Sequence, residues 1–176
     1  MPKPSAKMRR EAAELVATAD VLVGEGLRPG RWPQARTVER FLSDDRLERV
    51  IGLYERAMRL DPAEPSYPWN LAATLNRLGL NDLALGYMTR ALSVAEEVGD
   101  EEWCDADSYL ALAELELDAG ETDKALTTIT RARQLAPGEA GVAAHAERLL
   151  KAARDQSHDQ HPEVSLAVRL LGGLPV

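Results

Sequence analysis

A chain of 176 residues, 45% of them hydrophobic, can bury a continuous core, and an apolar fraction rich in Ala and Leu with only 5% aromatics favours helix over strand. The net charge of −8 and a pI near 5.0 set the chain against a phosphate backbone, so nucleic acid is not an expected partner. The single cysteine, Cys104, excludes an internal disulfide and a CxxC redox or zinc motif, and no run approaches the roughly 18 apolar residues of a membrane span.

The chain begins MPKPSAKMRR, basic but followed by EAAELVATADVLV, which Glu14 and Asp20 interrupt. That is no clean signal-peptide core, and a cytoplasmic location is expected. Residues 5–23 predict an amphipathic helix with Ala12, Leu15, Val16, Ala19, Leu22 and Val23 on one side, followed by a loop from Gly24 to Gly30. Residues 1–30 thus form an N-terminal segment that either covers the open end of the first helix pair or makes a homodimer face. Trp32-Pro33 can open the next helix, with Pro in its first turn, and Leu42 ends it. Ser43 is placed to cap DDRLERVIGLYERAMRL, which stops before Asp61-Pro62.

From residue 50 onward the chain repeats itself. Val50, Tyr54 and Ala57 recur as Ala84, Met88 and Ala91 at an offset of 34, and Leu60 recurs as Val94. Leu71-Ala72, Gly79, Ala84, Met88 and Ala91 recur as Leu112-Ala113, Gly120, Ala125, Ile129 and Ala132 at an offset of 41. The difference of seven is close to two helical turns, so the expected insertion lengthens helices and keeps the same face inward. In NLAATLNRLGLNDLALGYMTRAL one stripe holds Leu71, Leu75 and Leu78, and a second holds Leu83, Tyr87 or Met88, and Ala91 or Leu92. Gly79 ends the first helix and Asn81 is placed to cap the second; Gly120 and Thr122 do the same one unit later. Small residues at Ala72, Ala84, Ala113 and Ala125 let paired helices approach closely. Glu139 to Arg154 predicts a terminal helix with Val142, Ala146, Leu149 and Leu150 inward, as an end cap requires. DQSHDQHP then reads as a polar linker, and PEVSLAVRLLGGLPV as an apolar tail with one helix over 163–171 that docks into a groove.

These residues resemble the tetratricopeptide repeat. Tyr109, Leu112, Ala113, Gly120, Ala125, Ile129, Ala132 and Pro137 fill its pattern in one unit; Leu71, Ala72, Gly79, Ala84, Met88 and Ala91 fill it in another. Val50, Tyr54, Ala57 and Pro62 fill the second half of a first unit. The 41-residue spacing is similar to the longer repeats of kinesin light chains and bacterial regulatory arrays. Trp69 stands one residue later than the family's usual Trp, and Glu96 stands where its closing Pro would be. The resemblance implies an all-α, right-handed α-α superhelix of about three helix pairs with capping helices at both ends. The units expected are 31–64, 65–105 and 106–138, followed by a capping helix over 139–155 and the linker and tail over 156–176.

In this family the first helices line a concave face where partners bind. The resemblance therefore implies a peptide- or protein-binding groove built from Trp69, Asn70, Ala73, Asn76 and Arg77 in the second unit, and from Asp107, Leu110, Glu114, Leu117 and Asp118 in the third. Trp is enriched at interface hot spots, so Trp69 is either an anchor for the partner or a packing residue on the preceding unit. Asn70 matches a family Asn that bonds a peptide backbone in some members; the alternative is an inter-helix hydrogen bond. Some members clamp a terminal carboxylate with Lys and Arg. Here Asp107, Glu114 and Asp118 stand instead, so that clamp is expected to be absent and a basic or apolar partner is favoured.

Residues 96–123 hold twelve Asp/Glu and no Lys or Arg, which is either a solvated surface or a docking surface for a basic partner. His158, Asp159, His161 and Glu163 have the composition of a metal site but sit in the expected linker, and no catalytic motif is present. His145 reads as a surface or edge residue and Cys104 as an inert thiol. The leading expectation is a non-enzymatic adaptor or scaffold without cofactor, metal, nucleic acid or membrane partner. The alternatives are a dedicated chaperone like those of type III secretion and, below it, a metal or enzymatic protein using the His-rich linker.

Overall fold

The computed structural model describes residues 4–26 and 35–160. Among them are eight helices and no strand: α1 (Ala6–Gly26), α2 (Ala35–Ser43), α3 (Arg46–Leu60), α4 (Ser66–Arg77), α5 (Asn81–Val98), α6 (Ala106–Asp118), α7 (Thr122–Leu135) and α8 (Ala140–Gln160). The chain divides into two compact units, the boundary falling between Cys104 and Asp105.

In the first unit α4 packs along α5, as the repeat spacing predicts, but α3 has a different partner from the expected one. In place of a helix opening at Trp32-Pro33, α1 runs along α3, and α2 touches it only lightly. Trp32 and Pro33 themselves lie outside the described residues. The reason is available stripe: α1 buries Ala12, Val16 and Ala19, while α2 buries only Phe41 among its described side chains. Ala12 and Ala19 project almost nothing beyond the backbone, so α1 can lie close to a face of α3 formed by Val50, Tyr54 and Ala57. α2 is held near the start of α3 by Arg46, whose guanidinium sits 5.6 Å from the Phe41 ring centroid and pairs with Asp44 at 3.3 Å.

Two phenols fasten the helices of this unit. Tyr54, fully buried, donates its hydroxyl to Asp20 Oδ1 at 2.5 Å and joins α3 to α1. Tyr87, half-buried, donates to Glu55 Oε1 at 3.0 Å and joins α5 to α3. Burial pushes both phenols up, and the neighbouring carboxylate adds to the shift, so both remain O–H donors throughout the physiological range.

The turn between paired helices is the same in both units. Gly79 has φ 75°, its N–H donates to the Asn76 carbonyl at 2.9 Å, and the Leu80 N–H reaches back to Leu75 O at 3.0 Å. Gly120 has φ 75°, its N–H donates to Leu117 O at 2.9 Å, and Glu121 N–H reaches Glu116 O at 2.7 Å. This is the Schellman pattern, which satisfies helix-end carbonyls and demands a left-handed residue. It also explains why Asn81 and Thr122 are not caps. The turn is so short that Leu80 and Glu121, which close it, already occupy the N-cap positions, and neither makes a side-chain cap bond. Ser43 is likewise no cap, since it ends α2 and Asp45 precedes α3. A side-chain cap does form at Asp105, which accepts from Ser108 N at 2.8 Å.

The second unit pairs α6 with α7 and lays α8 against both. α8 buries Val142, Ala146, Leu149 and Ala153, with Leu150 half-buried, and it continues to Gln160 through the stretch that reads as a linker. Gln156 gives the added turn a purpose: its amide donates to Leu117 O at 3.0 Å and its carbonyl faces the Thr122 hydroxyl at 3.4 Å. The tail helix expected over 163–171 lies outside the described residues. The seven surplus residues of the longer repeat are shared. Counted from the matched positions Val50 and Ala84, α5 runs four residues further than α3, the connector after it (99–105) is two longer than the one after α3 (61–65), and α6 is one longer than α4.

Two substitutions test these contacts. Gly120→Ala forces an alanine into the left-handed region and should lower unfolding stability by about 1–2 kcal/mol, read from urea denaturation. Tyr54→Phe removes the hydroxyl that ties α3 to α1 and should cost about 1–2 kcal/mol in the same measurement.

Candidate binding surface

α4 separates two faces. Tyr67, Pro68, Leu71, Ala72 and Leu75 are buried; Pro68 falls in the first turn, where the missing N–H has no intrahelical acceptor to lose. The opposite side carries Trp69, Ala73 and Asn76 at helical spacing, flanked by Asn70 and Arg77. Asn70 and Ala73 are exposed; Trp69, Asn76 and Arg77 are half-buried. Thr74, which lies between these faces, donates its hydroxyl to the Asn70 carbonyl at 3.0 Å. All five residues that the sequence nominates on this helix are therefore on one accessible side of it.

The Trp69 ring meets Trp103 edge to face, with centroids 5.2 Å apart and planes at 64°. Trp103 is absent from the residues nominated by sequence, although a signal was present: it is an aromatic in the stretch that makes one repeat longer than the next. Such a lengthened connector is where loops acquire function.

α6 corrects part of the expected site. Asp107, Glu114 and Asp118 are exposed, but Leu110 and Leu117 are buried, at 0% and 3% of their surface, and offer nothing to a partner. α6 packs against both α7 and α8, and nine of its 13 residues are buried, so its leucines serve as core. What remains outward is an acidic stripe.

Beside it, Glu116 is buried on the same helix, and its Oε2 has no hydrogen-bond partner. Burial raises its pKa, the Thr128 hydroxyl pulls it back, and Glu121 raises it again.

Other chemistry is thinner. Among the described residues no group of three or more His, Cys, Asp or Glu is arranged to hold a metal ion. His161 and Glu163 lie outside those residues, His145 is half-buried on α8, and Cys104 is half-buried at the end of the first unit. No helix among the described residues is long and apolar enough to cross a membrane.

Residues 65–137, which span α4 to the end of α7, match the family model of the tetratricopeptide repeat. Those residues carry the tetratricopeptide-repeat pattern. Solved repeat domains share the fold. The TPR2B domain of yeast Sti1, in a pHsp70 complex, aligns with a TM-score of 0.52 and 16% identity, covering 81% of this chain and 98% of that one. The second TPR domain of human RPAP3, solved in complex with the HSP70 peptide SGPTIEEVD, aligns with a TM-score of 0.50 and 14% identity, covering 78% and 97%. At such identities the likeness is one of fold. No curated protein matches the sequence. In the terms of the repeat, α4 and α6 are first helices and α5 and α7 second helices, so the outward faces of α4 and α6 are equivalent positions put to different use.

Glu116 yields a pH prediction. A carboxyl whose folded pKa is raised binds its proton more tightly folded than unfolded, so its contribution is favourable at low pH and is lost as pH rises through the folded value. Glu116→Gln should therefore raise the melting temperature at neutral pH, and the gain should shrink as pH falls through the raised folded value and level off once pH is below the ordinary carboxylate range. Thermal melts of both proteins across pH check this.

Proposed function

We propose that this chain is a non-catalytic interaction module, an adaptor or scaffold, that binds a partner polypeptide through the outward side of α4. The observation that carries this is the α4 face. Its opposite side already supplies the core, yet Trp69, Asn70, Ala73, Asn76 and Arg77 keep a tryptophan, two amides and a small residue together on an accessible surface. That combination suits an extended peptide: Ala73 gives room for a backbone, the amides offer donors and acceptors, and the indole offers an apolar anchor.

Charge narrows the partner. The RPAP3 domain was solved with an HSP70 peptide that ends in EEVD. The net charge of −8 on this chain disfavours such a peptide and favours a basic or apolar one; α6, by itself, shows Asp107, Glu114 and Asp118 to solvent.

The test uses immobilised full-length protein and a random peptide library. Retained peptides should be enriched in basic and apolar residues, and Ala73→Arg should weaken their binding at least about tenfold with unchanged melting, as expected for blocking a central contact. SGPTIEEVD should not bind. Ligands that ignore Ala73→Arg would place binding elsewhere, and tight binding of SGPTIEEVD would overturn the charge assignment.

A further inference from the structure

The connector after α5 carries more than its spacing needs. The corresponding connector after α7, residues 136–139, has no aromatic residue, whereas the longer one contains Trp103 directly after Asp100, Glu101 and Glu102. The segment is held in a defined turn. Asp100 N–H donates to Ala95 O at 2.9 Å, Glu102 N–H donates to Asp100 Oδ1 at 3.2 Å, and Cys104 N–H donates to Asp100 O at 3.2 Å. Trp103 is thereby presented to Trp69 from a fixed backbone.

Both indoles are half-buried, so part of each stays accessible although they touch. In an edge-to-face pair at 64°, one ring's edge covers one face of the other, and the uncovered faces bound a wedge whose accessible part a further group can reach. Next to Trp103 in the chain, Glu101 and Glu102 are exposed, Asp100 is half-buried, and none of the three takes part in an ion pair among the described residues. No Lys or Arg occurs between residues 96 and 123 to neutralise them.

Two kinds of attraction point the same way here. The face of an indole is electron-rich and draws a cation, and uncompensated carboxylates do so too. A neutral apolar ligand would use the rings and leave the carboxylates idle, and an acidic ligand would be repelled. We propose that Trp69 and Trp103, with Asp100, Glu101 and Glu102, receive an arginine or lysine side chain of the partner polypeptide. An arginine guanidinium suits the place best, because it stacks flat on an aromatic face and offers paired N–H donors to carboxylates. This rests on the proposed role in binding a polypeptide, and it assigns the chemistry of one anchor point.

The experiment uses the full chain and three labelled peptides of equal length: one alternating Arg with Gly and Ala, one with Gln in place of Arg, and one with Glu in place of Arg. Fluorescence anisotropy should show saturable binding of the Arg peptide, about tenfold or more weaker binding of the Gln peptide, and none of the Glu peptide. Adding the Arg peptide should move the indole N–H resonances of Trp69 and Trp103 in a proton–nitrogen spectrum. Trp69→Leu and Trp103→Leu keep apolar volume without a ring, and each should weaken the Arg peptide by roughly three- to thirtyfold with unchanged melting. Glu101→Gln with Glu102→Gln should weaken it and flatten its salt dependence.

Wild-type affinity in both Leu variants would reduce the effect to general attraction by an acidic surface and overturn the proposal. Equal binding of the Gln and Arg peptides, or absence of saturable Arg-peptide binding, would overturn it as well. If library ligands remain sensitive to Ala73→Arg while Arg-peptide binding ignores Trp103→Leu, the interaction module stands and this anchor falls. Should a Leu variant fail to fold, the indole shifts of the wild-type protein decide: unmoved Trp69 and Trp103 resonances at peptide saturation rule the wedge out.

Discussion

The architecture depends on how closely two helices can lie together. Each extensively packed pair carries fully buried alanines on both members: Ala12 and Ala19 against a face with Ala57, Ala72 with Ala84 and Ala95, and Ala113 with Ala125 and Ala132. A side chain no larger than a methyl group lets two backbones lie close, and larger buried residues such as Val50, Leu71 and Ile129 fill the rest of the core. A bulkier residue at one of these positions has nowhere to go, because the cost of overpacking is borne by two rigid rods at once. The glycine turns matter for the same reason: they reverse the chain in the few residues that close pairing allows.

Committing one face of each helix to its partner leaves the other side to local choice, and the two first helices differ there. α4 keeps an outward face of mixed character, with an indole, amides, a methyl and a guanidinium. α6 gives its apolar positions to α7 and α8 and shows the solvent carboxylates. Equivalent register positions thus hold Trp69 in one repeat and Leu110 in the next, one half-buried and one fully buried. The same backbone pattern supports a contact surface in one place and a wall of the core in another.

Local spacing encodes the part of the fold that is legible in the sequence. Apolar recurrence and the glycines at 79 and 120 locate α4 to α7, and the buried set Ala84, Met88, Ala91, Ala125, Ile129 and Ala132 comes directly from the offsets. The illegible part depends on three-dimensional neighbours. Nothing in the spacing says that α3 pairs with α1 across the intervening residues. The helix signals around α2 read as a repeat half because they stand next to α3 in the chain. Leu110 and Leu117 look like ligand-facing residues on a helix wheel drawn for one partner, and become core once α6 has two. Gln156 looks like linker until the Leu117 carbonyl is placed opposite it. Trp103 escapes notice when the extra residues are counted as helix extension.

The division of those extra residues has a mechanical result. Four residues added to α5 lengthen its axis by about 6 Å and turn its exit by roughly 40° beyond a full revolution, since a turn needs only about 3.6. Two of the remaining three lengthen the connector and give the chain slack to absorb that offset before α6 begins. A ledge is thereby built onto the end of one rod without disturbing the contacts that hold the rods together. Its side chains, the tryptophan and its acidic neighbours among them, can be exchanged for others while the alanine seams stay as they are, which makes this ledge the part of the molecule most open to acquiring a new preference.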